Sequence, residues 1–105
     1  MEFIMILSTI GTETDAQTIA KKLIDSKKAA CMNIISGIQS IYEWKGKQCK
    51  DIEYLLLIKT TKESEKGVYR LIGEIHPYET PEIISIPIQN GSNDYLNWIR
   101  TSVDS

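Results

Sequence analysis

A long β-hairpin is predicted by CMNIISGIQSIYEWKGKQCKDIEYLLLIK, residues 31–59. Residues 31–43 are typical of one long strand, in which Gly37 marks a bulge or bend. WKGK, residues 44–47, is typical of a tight reversal, because its glycine reaches positive φ without steric cost. Residues 52–59 then return as a second, more apolar strand.

Before the hairpin, the sequence predicts one strand and one helix. Residues 2–8, EFIMILS, form an apolar run of strand length, which we expect to be buried on both faces. Thr14 and Gln17 fit a capping box at the start of the helix. The apolar face of this helix is predicted from helical spacing to comprise Ala16, Ile19, Ala20, Leu23 and Ile24.

After the hairpin, the sequence predicts a helix, a strand and a final helix. Thr60 or Thr61 is expected to cap the first helix, and Pro77 ends it, because the residue before a proline avoids the α region. Residues 82–88 form the strand, where Pro87 indicates an edge or a bulge. The apolar face of the first helix is predicted to comprise Val68, Leu71, Ile72 and Ile75, and the last helix carries Tyr95, Trp98 and Ile99.

The order β-α-β-β-α-β plus a last helix predicts an α+β fold. With right-handed crossovers it becomes a ferredoxin-like antiparallel sheet with both main helices on one face. We expect one domain over residues 1–105. A strand of about 13 residues spans about 40 Å, while a domain of this size has a radius of gyration of about 13 Å. The hairpin should therefore project, and its apolar side chains need a partner surface.

Charge and composition limit the partners and the cellular compartment. Twelve Lys and Arg against fourteen Asp and Glu give a net charge of −2, which argues against a nucleic-acid partner. We expect no signal peptide, and no apolar run approaches the roughly 18 residues of a membrane span. Because Cys31 and Cys49 form no C-x-x-C pair, a reduced protein of the cytoplasm is favoured over a Cys31–Cys49 disulfide.

The residues favour binding over catalysis. An RNA-binding domain shares this order of elements, but the chain has no basic-and-aromatic RNP1 signature. A hydrolase resembling acylphosphatase would need an arginine after the first strand, where STIGTET, residues 8–14, has none. Neither a Ser–His–acid arrangement nor a metal motif of recognised spacing is present. We therefore expect no enzymatic activity.

Four segments carry a resemblance to a known family. KKAACMNIISGIQSIYEWKGK, LIKTT, HPYETPEI and NGSNDYLNWI resemble the CutA family of divalent-cation tolerance proteins, in order and spacing, over nearly the whole chain. The resemblance implies a tight homotrimer with interlocking hairpins, in the cytosol or an organelle. It also implies a role in metal tolerance, with copper as the usual ion. A copper-binding pattern of bacterial members of the family has a cysteine where this chain has Ser8 and a histidine where it has Ile75. Of the three ligands in that pattern, this chain retains only His76.

His76 is the only histidine, and its role has two interpretations. It either caps the end of the second helix or binds copper or zinc with help from Glu79 or Glu82. Cys31 is either a buried small apolar residue or a soft ligand facing a pocket near HPYETPE. No cofactor is required, and the expected ligand is Cu²⁺ or another divalent cation.

Aromatic residues suggest an interface and a cleft. The interface between copies is predicted to contain Ile38, Ile41, Tyr42 and Trp44. A cleft between subunits would be lined by Trp44, Lys59, Tyr78, Thr80 and Trp98. The alternative to metal tolerance is a signalling or scaffold trimer that binds a small ligand or a partner protein in this cleft.

Overall fold

The computed structural model describes residues 2–104 and contains the predicted elements in the predicted order. A four-stranded sheet has the strand order β2-β3-β1-β4, and each neighbouring pair is antiparallel. This topology confirms the ferredoxin-like α+β prediction. The elements are β1 Phe3–Ile10, α1 Glu13–Asp25, β2 Cys31–Trp44, β3 Lys47–Thr61, a 3₁₀ turn Lys62–Ser64, α2 Glu65–Ile75, β4 Ile83–Ile88 and α3 Asn93–Ser102.

The core lies between the sheet and helices α1 and α2. Alternate residues of β1 and β3 are buried against the apolar faces of these helices, as expected where only one face of a sheet is covered. The prediction that β1 is buried on both faces is therefore wrong, because its second face is only half-buried. Ile24, predicted to belong to the core face of α1, is exposed instead.

Both helix starts differ from the predictions. The N-cap of α1 is Thr12 rather than Thr14, and its Oγ1 accepts a hydrogen bond of 3.1 Å from the Asp15 backbone N–H. Thr60 and Thr61 are the last residues of β3, and α2 begins only after the 3₁₀ turn. Thr60 Oγ1 instead donates to the Lys28 carbonyl at 2.6 Å, which ties the end of β3 to the α1–β2 turn.

The hairpin has the predicted bulge and turn, and its returning strand β3, Lys47–Thr61, is longer than the predicted residues 52–59. The register shifts between Ile35 and Ile38, around Gly37 at φ 76°. Lys45 and Gly46 both have positive φ, 50° and 81°, as a two-residue hairpin turn with the twist of its strands requires. Because β3 begins immediately after this turn, the hairpin extends the molecule to 45 × 25 × 21 Å.

Helix α2 ends where the sequence predicts, and strand β4 lies at the edge of the sheet as predicted. Helix α2 ends at Ile75, and the backbone of His76 before Pro77 is extended, with φ −72° and ψ 133°. Within residues 2–104, strand β4 pairs only with β1, so Pro87 lies on an edge strand, where a missing N–H is tolerated. Within residues 2–104, no helix is long and apolar enough to cross a membrane.

Candidate functional site

His76 joins the end of β1 to the loop between α2 and β4. The ring is buried, with 8% of the residue exposed, and its Nε2 lies 2.8 Å from the Thr9 carbonyl oxygen. The Tyr78 backbone N–H donates to Nδ1 at 3.1 Å. Because a carbonyl only accepts, Nε2 carries the proton, and these two bonds select one tautomer of the neutral ring. The ring thus contacts β1 and its own loop rather than the carbonyls of α2, and metal ligation would have to displace one of these bonds.

Two tyrosine–carboxylate pairs lie beside this loop. Tyr78 Oη donates to Glu53 Oε2 at 2.6 Å, which joins the loop to β3. Tyr42 Oη donates to Asp51 Oδ2 across the hairpin. Glu53 is only 5% exposed, so the bond from Tyr78 supplies a partner for a carboxylate that has lost most of its water.

Both hydroxyl groups hold their protons more tightly than a free tyrosine. The hydrogen bond to the Asp51 carboxylate, followed by burial, raises the pKa of Tyr42 to about 12. Burial and then the hydrogen bond to Glu53 raise the pKa of Tyr78. Both phenols therefore remain neutral donors to their carboxylates at physiological pH.

These pairs line an open cavity of about 970 Å³ along the projecting part of the hairpin, from Glu53 at its base to Trp44 beside its turn. Its aromatic walls are Tyr42, Trp44 and Tyr78, and its carboxylates are Asp51, Glu53, Glu79 and Glu82. Thr9, Gly11, Gln39, Ser40, Ile41, Ile52 and Thr80 complete the lining. The cavity thus brings together Trp44, Tyr78 and Thr80 of the predicted cleft with the predicted metal ligands Glu79 and Glu82.

The remaining cleft residues lie at the other end of the sheet. Cys31 pairs with Lys59, and Lys59 pairs with Met5, four residues before Thr9 on β1. Four strand residues span about 13 Å, so one chain does not place the Cys31 thiol in the ligand shell of His76. Lys59 Nζ donates to Asn33 Oδ1 in this second group.

Helix α3 completes this second group with two aromatic side chains. Burial, followed by the nearby Cys31 thiol, raises the pKa of Tyr95. Trp98 packs against Tyr95 with a ring separation of 5.5 Å. Trp98 therefore belongs to the Cys31 end of the molecule and not to the cavity.

Within residues 2–104, no group of three His, Cys, Asp or Glu side chains converges as a metal site. Ser8, which replaces the cysteine of the family's copper pattern, lies inside β1 and is fully buried. Cys31 and Cys49 are both free thiols, so the alternative of a disulfide between them is excluded in this structure. One chain alone therefore does not assemble the predicted copper ligands.

Asp51 and Glu53 were not among the predicted site residues, although the sequence contained a signal for them. Cys49, Asp51 and Glu53 alternate along β3 and pair with Tyr42, Ser40 and Ile38 of β2. Residues two apart on a strand share a face, so this spacing already placed two carboxylates opposite an aromatic residue. Tyr78 and Glu79 could not be added to that group from spacing alone, because a fold-dependent loop brings them there.

The fold and cavity define a ferredoxin-like protein with an acidic, aromatic site along its projecting hairpin. The family model described as CutA1 divalent ion tolerance protein matches residues 4–102. The chain is 43% identical to the divalent-cation tolerance protein CutA of Thermus thermophilus over 96 residues, covering 91% of this chain and 93% of that protein. It is 40% identical to the Thermotoga maritima protein of the same name, covering 95% and 98% of the two chains.

A solved structure agrees with these relatives. The divalent cation tolerance protein from Thermus thermophilus superimposes with a TM-score of 0.94 at 40% identity, covering 97% of this chain and 99% of that chain. The chain belongs to the CutA1 divalent ion tolerance protein family.

Proposed function

We propose that this protein is a homotrimeric, non-enzymatic divalent-cation tolerance protein of the cytoplasm that binds copper or a similar divalent ion. The observation that carries the proposal is the family match across residues 4–102. Relatives bearing the name divalent-cation tolerance protein CutA align over almost their whole length.

The loop between α2 and β4 is the best-supported place for the ion within one chain. It holds the imidazole of His76 and the exposed carboxylates of Glu79 and Glu82, and copper accepts both ligand types. Because these groups do not converge as a three-ligand site, the proposal requires ligands from neighbouring copies. A homotrimer supplies three copies of the same loop.

Calorimetric titration of the reduced protein with Cu²⁺ tests this proposal. We expect His76→Ala to weaken copper binding at least about tenfold, because an imidazole is a strong copper ligand. Glu82→Gln should weaken it less, and it leaves the His76 hydrogen bonds intact. Copper should also shift the NMR signal of the Tyr78 amide, since that amide donates to Nδ1.

Two controls make the copper titration decisive. Cys49→Ser removes a thiol that lies outside this loop and should leave copper affinity unchanged. Sedimentation of His76→Ala checks that the assembly has survived. Equal copper affinity in wild type and His76→Ala would exclude His76 as a ligand.

The cavity favours a second candidate function, a trimer that binds a small organic ligand. Its volume of about 970 Å³ lies within the range of small-molecule sites. Aromatic walls with a few polar groups are typical of such sites. Binding of any small organic molecule that protects Trp44 from a fluorescence quencher would support this function.

A further inference from the structure

We propose that Asn90 and Gly91 form a site of spontaneous deamidation, in which a cyclic imide closes within the chain and water opens it. The pair lies in the connection of residues 89–92 between β4 and α3. The modification is covalent and intramolecular, so it is independent of the ion and the organic ligand proposed above.

Asn90 is the one asparagine of the sequence that a glycine follows. The other asparagines, Asn33, Asn93 and Asn97, precede isoleucine, aspartate and tryptophan. The nucleophile in this reaction is the backbone nitrogen of the following residue, and a side chain on that residue crowds it. Glycine has no Cβ and leaves its nitrogen open to attack on the neighbouring side chain. The sequence thus concentrates this chemistry at position 90.

The fold leaves both reacting groups free to meet. Asn90 and Gly91 are exposed and lie outside the helices and strands of the described chain. Within residues 2–104, the Asn90 side-chain amide forms no hydrogen bond, and the Gly91 N–H has no acceptor. Backbone groups in helices and sheets are held by such bonds, whereas this N–H is not. Gly91 N can therefore approach Asn90 Cγ without breaking a bond to these residues.

The pair lies at the end of the sheet away from the hairpin turn. Tyr54, at the base of the projecting hairpin, pairs with Ile10 at one end of β1. Ile88 pairs with Phe3 at the other end of β1, and Asn90 follows two residues later. The two ends of β1 are about 23 Å apart at the rise of a β-strand. The hairpin contacts that we expect between copies are thus remote from Asn90.

Packing of α3 favours the glycine that makes Asn90 labile. A Cβ at position 91 would lie 3.2 Å from Leu96 Cδ2, closer than ordinary van der Waals contact. Ile99 on the same helix is fully buried, so α3 is anchored in the core and Leu96 has little room to retreat. A larger residue at position 91 would protect Asn90 only at a cost in packing.

The reaction balances without an oxidant or a reductant. Gly91 N loses its proton to water and bonds to Asn90 Cγ, the Cγ–Nδ2 bond breaks, and the leaving nitrogen takes up a proton and departs as ammonia. Water then cleaves the imide. Cleavage between Gly91 N and Cγ gives aspartate, whereas cleavage at the backbone carbonyl gives isoaspartate, in which the chain runs through the side chain. Either product adds one negative charge shortly before the Ser92 N-cap.

Peptide mass mapping of the assembled wild-type protein, incubated in mildly alkaline buffer made with heavy-oxygen water, tests this proposal. Fragmentation of the peptides assigns each modified residue. We expect Asn90 to exchange its amide nitrogen for labelled oxygen at least about tenfold faster than Asn33, Asn93 or Asn97. Those three residues lie in β2 and α3 and are controls within the same molecule. Chromatography should resolve an isoaspartate product and an aspartate product.

Asn90→Gln is the matched variant, because its longer side chain must close a larger and less favourable ring. The position is exposed, so the variant should fold normally, and labelling there should fall at least about tenfold. Equal rates at Asn90 and Asn93 would overturn the proposal. Aspartate without isoaspartate would overturn it as well, because direct hydrolysis forms no imide. Labelling that occurs only in urea-unfolded protein would show that the assembled fold holds this pair closed.

Discussion

Ser8 is a buried polar residue whose hydroxyl group forms no hydrogen bond within residues 2–104. Within residues 2–104, its Oγ is the buried side-chain polar atom that lacks a hydrogen-bond partner. It lies on β1 opposite Leu56 of β3 and Ile83 of β4, on the face that carries Ile6 and Ile10. Burying a hydroxyl without a partner costs about 1–3 kcal/mol.

We therefore expect Ser8→Ala to raise the free energy of unfolding by about 1 kcal/mol. The change removes only the unpaired oxygen and leaves a very small space. Ser85→Ala is the matched control, because Ser85 Oγ shares a 2.7 Å hydrogen bond with Tyr69 Oη. Urea unfolding should show opposite signs for the two variants, and a loss of stability in Ser8→Ala would contradict the prediction.

Tyr78 links stability to alkaline pH. Its pKa is raised above the ordinary value of 10.0, by burial and then by Glu53, so the folded state holds this proton more tightly than the unfolded state. The stabilisation is fully present below about pH 10 and is lost as the pH rises through the raised pKa. At about pH 7, Tyr78→Phe should lower the free energy of unfolding by about 1.5–3 kcal/mol, because it removes a hydrogen bond whose acceptor is the charged carboxylate of Glu53.

Urea unfolding of wild type and Tyr78→Phe between about pH 7 and about pH 11.5 measures this linkage. We expect the difference between the two proteins to be constant up to about pH 10 and then to shrink. Lysine titration affects both proteins equally and cancels in the difference. A difference that stays constant over the whole range would show that the Tyr78 hydroxyl is not linked to folding in this way.

At the scale of elements, helix α1 ends in a Schellman motif. Lys27 has φ 58°, its N–H donates to the Ile24 carbonyl at 3.0 Å, and the Lys28 N–H donates to the Leu23 carbonyl at 3.0 Å. A lysine in the left-handed region carries a Cβ clash that glycine lacks. The motif is thus formed at the cost of local strain.

Lys27→Gly should raise the free energy of unfolding by about 1 kcal/mol. Lys22→Gly is the control, because the same substitution inside α1 should lower it by about 1 kcal/mol. Thermal unfolding of the two variants should therefore move the midpoint in opposite directions. A midpoint lowered by both would show that the left-handed conformation carries no strain worth removing.

The order of elements was predictable because hydrophobic periodicity and the residues that end helices or form turns act locally. Pro77 and the glycine turn of the hairpin act within a few residues of where they stand, and both worked as expected. The start of α1 was not fixed locally, because Thr12 and Thr14 are each followed three residues later by a side chain suited to capping. In the structure Thr12 is the N-cap, and its Oγ1 accepts a hydrogen bond from the Asp15 N–H.

The site was less predictable, because its residues are distant in sequence. Tyr78 and Glu53 are separated by 25 residues, and they meet only because the loop before β4 crosses the end of β1. The first residues of β3 are polar and have weak strand propensity, so the sequence did not predict that the strand begins at Lys47. Hydrogen bonds to β2 hold these residues in the strand. Cys31 was predicted near the HPYETPE loop, yet within one chain strand pairing places it about four residues away along the sheet.

At the scale of the whole molecule, apolar surface remains uncovered on the hairpin and on the edge strand. Ile41 and Ile52, on the two strands of the hairpin, are 64% and 60% exposed. Ile84 and Ile86 of the edge strand β4 are also exposed, and unpaired backbone groups accompany them. The radius of gyration, 14.2 Å, exceeds the roughly 13 Å of a compact chain of this length. These features support the proposed homotrimer.

Closed threefold symmetry would bury this surface without leaving edges for further addition. Burial of apolar surface at about 25 cal/mol per Å² favours association, although ordering and association costs offset much of it. Ile38, Ile41, Tyr42 and Trp44 are the residues we expect at the interface. Trp44 is the most informative of them, because it lies beside the turn at the tip of the hairpin.

We predict that wild type sediments with three times the 11.9 kDa mass of one chain, and that Trp44→Asp shifts it toward smaller species. An aspartate there would place an unpaired charge in a desolvated contact, which costs several kcal/mol. Ile24→Asp is the control, because Ile24 is 41% exposed and Trp44 is 42% exposed, yet Ile24 lies on α1 away from the hairpin. Sedimentation equilibrium at micromolar concentration should show the loss of assembly only for Trp44→Asp. A monomeric wild type, or equal dissociation of both variants, would rule out a trimer held by the hairpin.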